Sequence, residues 1–165
     1  MTHEPATASD NAFGEVRVLT WSPWHYLCVG GEALLTELDP LLDREIAALE
    51  AAREASGVRP SGPIVVRYRP APESGSDVYW MGTGFPVAEG TVAPPGTEVQ
   101  ALPAFRCATL LFSGSLAGIQ EAYDRLFRGM EAAGLERTGE GREWHLYFEG
   151  DTSPNNVILL QQGVR

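Results

Sequence analysis

The element order strand–helix–strand–strand occurs twice along this chain, and this repeat constrains the possible folds more than any single motif does. Residues at helical spacing on the first helix lie at a constant offset from a matching stripe on the second helix. The two stripes consist of Leu35, Leu38, Leu42, Ile46 and Leu49, and of Leu116, Ile119, Tyr123, Phe127 and Met130. All amphipathic helices share this spacing, but the shared element order favours an internal duplication.

Each half opens with a long β-rich run that contains a proline near its middle. Pro23 interrupts the first run, residues 15–29, and Pro103 interrupts the second run, residues 99–113. Because proline cannot donate a hydrogen bond to a neighbouring strand, we expect a bulge or a bend at both positions. We expect Gly30-Gly31 to end the first run.

Capping residues predict where the two main helices begin and end. Asp39-Pro40 is typical of an N-cap followed by a first helical residue, after a short helical turn, and Gly57 is typical of a C-terminal stop. In the second half, Ser115 is the expected cap and Gly134 is the expected stop. Each half is therefore predicted to contain one main helix.

Four further runs predict the remaining strands, and they span residues 63–69, 77–88, 142–149 and 156–162. Two such units can pair their strands into antiparallel sheet, pack both helices on one side, and leave a central cleft on the pseudo-twofold axis. Ligand sites favour junctions of this kind. The sequence therefore predicts an α+β fold built from duplicated strand–helix–strand–strand units.

The length of 165 residues suits one domain. We expect this domain to cover residues 14–165, after a disordered tail of residues 1–13 that is rich in Thr, Ala, Ser and Asp. The first repeat is expected at about residues 15–89 and the second at about residues 98–165, with a loop containing Pro and Gly between them.

Composition argues against several classes of function. The formal net charge of -10 opposes binding to nucleic acid, which needs a basic footprint. No apolar run approaches a membrane span and the start of the chain has no signal-peptide pattern, so we expect a cytoplasmic protein with no membrane partner. Cys28 and Cys107 match no metal or redox motif, and a lone histidine makes no metal site, so we expect neither metal nor cofactor.

The strand predicted at residues 142–149 has two chemically different faces. Successive side chains of a strand point to opposite sides, so one face carries acids, an imidazole and a phenol while the other carries large apolar groups. The first face consists of Glu143, His145, Tyr147 and Glu149, and the second of Trp144, Leu146 and Phe148. Glutamate is most often exposed, so the residues alone favour an ordinary surface acid at position 143.

Three segments nevertheless occur in an order and spacing that are typical of one family. They are residues 102–126, with Leu-Pro-Ala, Ala-Thr-Leu-Leu-Phe-Ser-Gly-Ser and the helix after them, residues 139–146, with Arg-Glu-Trp-His-Leu, and Phe85-Pro86-Val87. Together they resemble the GyrI-like small-molecule-binding family, the effector-binding module of AraC-type and MerR-type multidrug regulators and of stand-alone gyrase-inhibitory proteins. The resemblance covers roughly residues 15–165 and implies a stand-alone member without a helix-turn-helix segment.

The resemblance implies polyspecific binding of lipophilic, often cationic, aromatic small molecules, for multidrug binding, sequestration or sensing. In the family a strand glutamate lies at the base of an aromatic pocket, and by motif that residue is Glu143. A cation offsets the cost of burying a carboxylate, and aromatic walls add cation–π attraction. The expected ligand-binding residues are Glu143, Trp80, Tyr147, His145, Trp24 and Phe85. His145 stands where the family commonly has tyrosine, which leaves its role open.

Several other aromatic residues are expected in the core instead. Trp144 and Phe148 face away from Glu143 on the predicted strand, so we expect them to pack beneath a helix. Tyr123 and Phe127 belong to the apolar stripe of the second helix, and we expect them in the core as well.

Two other functions stay open. Some GyrI-like relatives hydrolyse reactive, cyclopropane-bearing aromatic natural products, and here Glu143 could serve as the base with His145 or a tyrosine as the acid. The third possibility is a protein-interaction module of the gyrase-inhibitor type. The sequence contains no nucleophile elbow, phosphate loop or catalytic triad spacing, so an enzyme rests on the resemblance alone, and we favour a binder without catalysis.

Overall fold

Nine antiparallel strands form one sheet, with two α-helices on one of its faces, in a computed structural model that describes residues 11–165. The strands are β1 (Ala12–Phe13), β2 (Arg17–Trp21), β3 (Trp24–Leu34), β4 (Val65–Pro70), β5 (Val78–Val87), β6 (Glu98–Leu102), β7 (Phe105–Ser113), β8 (Arg137–Tyr147) and β9 (Val157–Val164). The helices are α1 (Leu38–Ser56) and α2 (Ile119–Ala132). The predicted α+β class is therefore confirmed.

The strand order is symmetric about the middle of the sheet. It runs β2–β7–β9–β8–β4–β5–β3–β6, and β1 also pairs with β7 on the same side as β2. One repeat supplies β3, α1, β4 and β5, the other supplies β7, α2, β8 and β9, and the two blocks meet where β4 pairs with β8. α1 packs on β3 and β5, and α2 packs on β7. This arrangement confirms the predicted duplication, with its pseudo-twofold axis at the β4–β8 pair.

Each predicted long strand is in fact two strands that pair with different neighbours, so the prediction of one bent strand per half is wrong. β2 pairs with β7, whereas β3, which follows after Ser22 and Pro23, pairs with β5 and β6. The physical reason is that proline has no N–H, so the ladder stops there and the chain crosses to the other repeat. Because two residues join strands from opposite ends of the sheet, those ends must approach within about 10 Å and the sheet must curl.

Three tryptophans fill the inside of this curl, on the sheet face opposite the helices. The ring of Trp144 from β8 lies 5.1 Å from that of Trp21 and 4.8 Å from that of Trp24, between centroids. Its indole N–H donates to the side-chain oxygen of Gln161 at 2.8 Å. Trp144 is therefore a core residue, as expected, but the prediction that it packs beneath a helix is wrong because even-numbered positions of β8 face away from α1 and α2.

A buried ionic cluster lies on the same face. Arg67 of β4 and Arg142 of β8 are direct register partners, and Glu140 accepts hydrogen bonds from both guanidinium groups, at 2.5 Å and 2.8 Å. Arg67 also donates to the side chain of Gln100 at 2.6 Å, and the guanidinium of Arg142 lies 3.7 Å from the ring centroid of Phe105. Burial by itself would raise the pKa of Glu140, but the two arginines outweigh it and hold that pKa below its ordinary value.

The indole ring of Trp80 lies flat over glycines of the sheet on this same face. Gly30 and Gly82 are paired across β3 and β5, and a Cβ atom on either would stand 2.7 Å or 2.5 Å from the indole ring. The expectation that Gly30-Gly31 ends the first strand is therefore wrong, since β3 continues to Leu34. These glycines are inside the strand because the indole ring needs the space that a side chain would occupy.

The expected helix boundaries are mostly confirmed. A 3₁₀ turn at Leu35–Glu37 precedes α1, and Gly57 ends it in the left-handed conformation, with φ of 70°, while donating its N–H to Arg53. α1 begins at Leu38, so the prediction that Asp39 is the N-cap and Pro40 the first helical residue is wrong. Pro40 is the third residue of α1, where its missing N–H costs no helical hydrogen bond. α2 begins at Ile119 after a second 3₁₀ turn, and Gly134 follows its end with φ of 67°. The Ser115 side chain makes no capping hydrogen bond, which corrects that prediction.

The predicted disordered tail is only partly within the described residues. Residues 1–10 lie outside them, and Ala12 and Phe13 form β1 by pairing with Ser113 and Phe112. The tail was predicted to extend to residue 13, and this is wrong for Ala12 and Phe13, which belong to the sheet. Of the helices that the structure describes, neither is long and apolar enough to cross a membrane.

One carboxylate is buried beneath α1, beside Thr83 of β5. Leu41, Glu45 and Leu49 form the face of α1 that packs on the sheet, and Glu45 is only 2 % exposed. Hydrogen bonding to Thr83 lowers the pKa of Glu45 less than burial raises it. Burial raises its pKa to about 7. The constant offset between the repeats places Leu126, a fully buried core residue, at the equivalent position of α2.

Replacing Glu140 by glutamine should lower the free energy of unfolding by about 3 kcal/mol, because it leaves two buried guanidinium groups without their counter-charge. Chemical denaturation at pH 7 measures this change. Glu136→Gln is the matched control, since its ion pair with Arg165 is exposed and is worth less than about 1 kcal/mol. Equal effects of the two substitutions would contradict a stabilising role for the buried cluster.

Glu45→Gln should remove a pH dependence of stability. The pKa of Glu45 is raised in the folded protein, so the unfolded chain loses its proton first and stability falls as the pH rises from about 4.5 to about 7. Roughly 3 kcal/mol is lost across this window in the wild type and not in the variant. Denaturation curves from pH 4.5 to pH 8 test this, with the exposed Glu54→Gln as control. Parallel pH profiles of wild type and Glu45→Gln would refute it.

Candidate functional site

A cleft of about 700 Å³ lies on the helix side of the sheet, where the two repeats meet. Its floor consists of Ile64 and Val66, at the beginning of the β4 segment, and of His145 on β8. The backbone N–H of His145 donates to the carbonyl of Ile64 at 3.0 Å, which fixes the floor residues side by side. The cleft therefore occupies the central position that the duplication predicts.

The walls of the cleft are mostly apolar. One wall is α1, which presents Leu42 and Ile46, and the other contains Leu116 from the turn before α2. The end of β8 adds Leu146 and Phe148, which are 48 % and 45 % exposed. Half-exposed large apolar side chains of this kind mark surfaces that bind other molecules.

A break in strand register explains why so many residues of β8 reach the cleft. The pairing of β8 with β9 shifts between His145 and Tyr147, as in a β-bulge. Strict alternation would turn only every second side chain to this side, but His145, Leu146, Tyr147 and Phe148 all line the cleft. The prediction that Phe148 is a core residue is therefore wrong, because that prediction assumed an unbroken period of two.

The charged groups of the cleft are all acidic. Asp39, Asp43 and Glu50 project from α1, and Asp151 lies on the opposite side. Glu50 is paired with Arg53 of the same helix at 2.8 Å, so the aspartates carry the uncompensated charge. Among the described residues that line the cleft, none is an arginine or a lysine. The acids give the cleft a negative potential, and its low-polarity walls weaken the screening of that potential.

Glu143 lies beside the floor, in a hydrogen-bonded chain. It stands directly opposite Val66 in the β4–β8 register, and its side chain is 18 % exposed. The Tyr123 hydroxyl of α2 donates to one carboxylate oxygen, and Nε2 of His145 lies 3.3 Å from the other. The hydroxyl groups of Tyr68 and Tyr123 are 2.6 Å apart. The Glu143 carboxylate thus accepts a hydrogen bond from a phenol on one side and faces an imidazole on the other.

The two phenols stay protonated over the whole physiological range. Burial and the nearby Glu143 carboxylate both raise the pKa of Tyr123, and the same two causes raise the pKa of Tyr68. Tyr123 can therefore only donate to Glu143, which keeps the carboxylate oriented beside the cleft. Such an arrangement can bind a cation or hold a carboxylate in position for proton transfer.

The structure brings only part of the predicted set together. His145 and Tyr147 line the cleft, and Glu143 is bonded to His145 directly behind that lining. Trp80 and Trp24 lie on the opposite face of the sheet, Trp80 with the guanidinium of Arg69 at 4.5 Å from its ring centroid.

Phe85 does not line the cleft either. It is a core residue beneath α1, packed with Leu27 and Leu49. The walls of the cleft are consequently more aliphatic than the resemblance implies, and its rings are those of His145 and Tyr147 on β8 and of Phe148 directly after it.

Sequence reasoning missed Tyr123 and the acids of α1. Tyr123 was expected in the core because it belongs to a helical stripe, but its hydroxyl reaches Glu143. Its equivalent in the first repeat, Leu42, lines the cleft. The sequence did contain a signal for this role, because the counterpart of Tyr123 in the first repeat is a leucine. A tyrosine buried on the apolar stripe of a helix needs a hydrogen-bond partner for its hydroxyl.

The described residues contain no group of three or more His, Cys, Asp or Glu that could hold a metal ion. His145 and Glu143 approach each other as a pair, and the acids of α1 belong to a different wall of the cleft.

Comparisons with known proteins identify the fold. No family model matches the chain, and no curated protein sequence matches it. EcmrR, in a cryo-EM structure of an EcmrR–DNA complex, matches with a TM-score of 0.68 at 14% identity over 93% of this chain, which spans 57% of EcmrR. The crystal structure of the EcmrR C-terminal domain gives a TM-score of 0.65 at 15% identity, covering 92% of this chain and 97% of the domain.

Two further solved structures match along nearly their whole length. SAV2435 bound to tetraphenylphosphonium gives a TM-score of 0.69 at 9% identity, with 92% of this chain and 94% of SAV2435 covered. A hydrolase encoded by lin2189 from Listeria innocua gives 0.59 at 10% identity, with 92% of each chain covered. The chain therefore shares its fold with the EcmrR C-terminal domain and with SAV2435, which agrees with the fold that its sequence resemblance implied.

Proposed function

We propose that this protein binds lipophilic, often cationic, aromatic small molecules in the cleft between its two repeats. The observation that carries the proposal is the pairing of apolar walls with several carboxylates, and with no arginine or lysine among the described lining residues, in one cavity of about 700 Å³. Such a volume suits a drug-sized guest. An organic cation would replace water against the apolar walls while its charge meets the carboxylates.

Glu143 is the proposed charge partner at the inner end of the cleft. It is mostly buried, and the phenol of Tyr123 is its only donor on the α2 side among the described residues. A carboxylate in this position keeps part of its charge uncompensated, which costs free energy that an incoming cation offsets. Asp39, Asp43 and Asp151 lie nearer the solvent and would attract the cation towards the cleft.

The chemistry of the walls favours a tolerant site. Leu42, Ile46 and Leu146 offer dispersion contacts without directional demands, and Tyr147 and Phe148 add ring faces to which a cation is attracted. Few hydrogen-bonding groups restrict the orientation of a guest, so guests of different shape can be accepted. SAV2435, which shares the fold, is bound to tetraphenylphosphonium, a lipophilic cation, and this supports the same class of ligand here.

The free cysteines suit the reducing cytoplasm, where we propose that the protein acts. Cys28 and Cys107 are both fully buried and are not joined to each other. Burial raises the pKa of Cys28 to about 12 and that of Cys107 to about 11. Both thiols are therefore unreactive structural residues.

Isothermal titration calorimetry with tetraphenylphosphonium should give saturable binding. Glu143→Gln should weaken this binding about tenfold, and it should change the affinity for the neutral triphenylphosphine oxide less than about twofold, because only the cation loses a Coulombic partner. Glu54→Gln, an exposed acid on the far end of α1, is the matched control for net charge. Equal losses for both ligands would exclude Glu143 as the charge partner, and no saturation would refute the proposed function.

A hydrolase on the same site is the second candidate, and one contact favours it. Glu143 lies within hydrogen-bonding distance of both a phenol and an imidazole, so it can take a proton from water while His145 supplies one. The lin2189 protein, which shares the fold, is described as a hydrolase. The substrate would be an aromatic compound with a strained cyclopropane ring, which water opens by adding across one ring bond.

Mass spectrometry distinguishes this candidate from simple binding. A cyclopropane-bearing aromatic electrophile should gain the mass of one water in the presence of the wild-type protein, and at the uncatalysed rate with Glu143→Gln. His25→Gln, remote from the cleft on β3, is the control and should behave as wild type. Recovery of unchanged substrate with wild-type protein would exclude the hydrolase.

A further inference from the structure

His145 stands between Glu143 and the cleft. Its imidazole lines the cavity, and its Nε2 lies 3.3 Å from a carboxylate oxygen of Glu143. Both side chains are largely buried, with 16% and 18% of their surface exposed. Any cation that approaches Glu143 from the cleft therefore meets the imidazole first.

Every other titratable group that lines this site is acidic or phenolic, and one of the acids, Glu50, is paired with Arg53 of α1 at 2.8 Å. Tyr68 comes from β4, Tyr123 from α2, and Tyr147 from β8 itself. The carboxylates are Glu143 on β8, Asp39, Asp43 and Glu50 on α1, and Asp151 after β8. Among the described residues that line the cleft, His145 is thus the side chain that becomes a cation when it is protonated.

A protonated His145 and a bound cation compete for one carboxylate. When the imidazole is protonated, Glu143 already has a cation at 3.3 Å, and a second positive charge in the cleft would be repelled by it. When the imidazole loses its proton, the charge of Glu143 is again available to the ligand. The stoichiometry balances if one bound monocation replaces one proton, which passes to the solvent.

We propose that His145 acts as an internal cation that a positively charged ligand must displace, so that cation binding releases a proton. This inference rests on the proposed function and adds a regulation of the same site. It assigns a specificity role to the residue at which this chain departs from the family that its sequence resembles. Deprotonation of His145 does not raise the affinity for neutral ligands of the same shape. The protonation state of His145 therefore selects between charged and neutral guests.

The pH dependence follows from linkage. Because the bound state holds fewer protons, the affinity for a monocation rises with pH while the imidazole is protonated in the free protein, by at most about tenfold per pH unit. The affinity for a neutral guest stays flat or changes in the opposite direction. Once the imidazole of the free protein is neutral, the affinity for the cation no longer changes with pH.

Calorimetry in two buffers of different ionisation enthalpy measures the released protons directly. At pH 6.5, tetraphenylphosphonium is titrated in phosphate and in ACES, and triphenylphosphine oxide is the neutral probe. The wild type should release up to one proton with the cation and none with the neutral probe. His145→Gln should bind the cation without releasing a proton.

Two controls separate His145 from other titrating groups. His25→Gln removes a histidine of β3 outside the cleft, and Glu45→Gln removes the buried acid beneath α1 whose pKa is about 7. Proton release should persist in both variants.

The outcomes are distinct. Saturable binding of the cation without proton release in the wild type, or release that persists in His145→Gln, overturns this inference and leaves the proposed function standing. Absence of saturable binding to the wild type overturns the proposed function and this inference with it.

Discussion

The pairing of β4 with β8 is the interaction on which the rest of the structure depends. It is the seam between the two repeats, and it carries different chemistry on its two faces. On one face the register sets Arg67 beside Arg142, two cations that are tolerated only because Glu140 bridges them. On the other face the same register sets Val66 beside Glu143. A slip of one residue would exchange the faces, which would expose the arginines and bury the acid against the tryptophans.

The two faces have separate tasks because the chain crosses between repeats at its prolines. The crossing curls the sheet, and the inside of the curl is closed by Trp21, Trp24 and Trp144. This leaves the helix side as the only face on which a cleft can open at the seam, since α1 and α2 cover the outer strands and leave the central pair between them. One face of the sheet thus carries the tryptophans and the buried ionic cluster, and the other carries the helices, their hydrophobic cores and the cleft.

The sequence predicted the duplication, the fold class and the neighbourhood of Glu143 and His145, because these depend on periodicity and on short motifs. It did not predict the strand crossing, since Pro23 shows only where a ladder stops and not where the next strand pairs. Trp80 was expected at the site, but nothing local reveals that its ring lies over glycines on the opposite face. Phe148 was assigned to the core because a β-bulge cannot be recognised from alternation alone.

The differences between the repeats explain why a symmetric scaffold makes an asymmetric site. Leu42 and Tyr123 occupy equivalent helix positions, yet the leucine leaves room for the cleft while the tyrosine crosses to Glu143 and fills that space with a hydrogen bond. The pair formed by Glu45 and Leu126 places a buried acid beneath α1 where α2 has a core leucine. The acids that line the cleft come instead from Asp39, Asp43 and Glu50 of α1 and from Asp151. Because the two repeats differ at such positions, the symmetric scaffold has one cleft that lies between α1 and the end of β8.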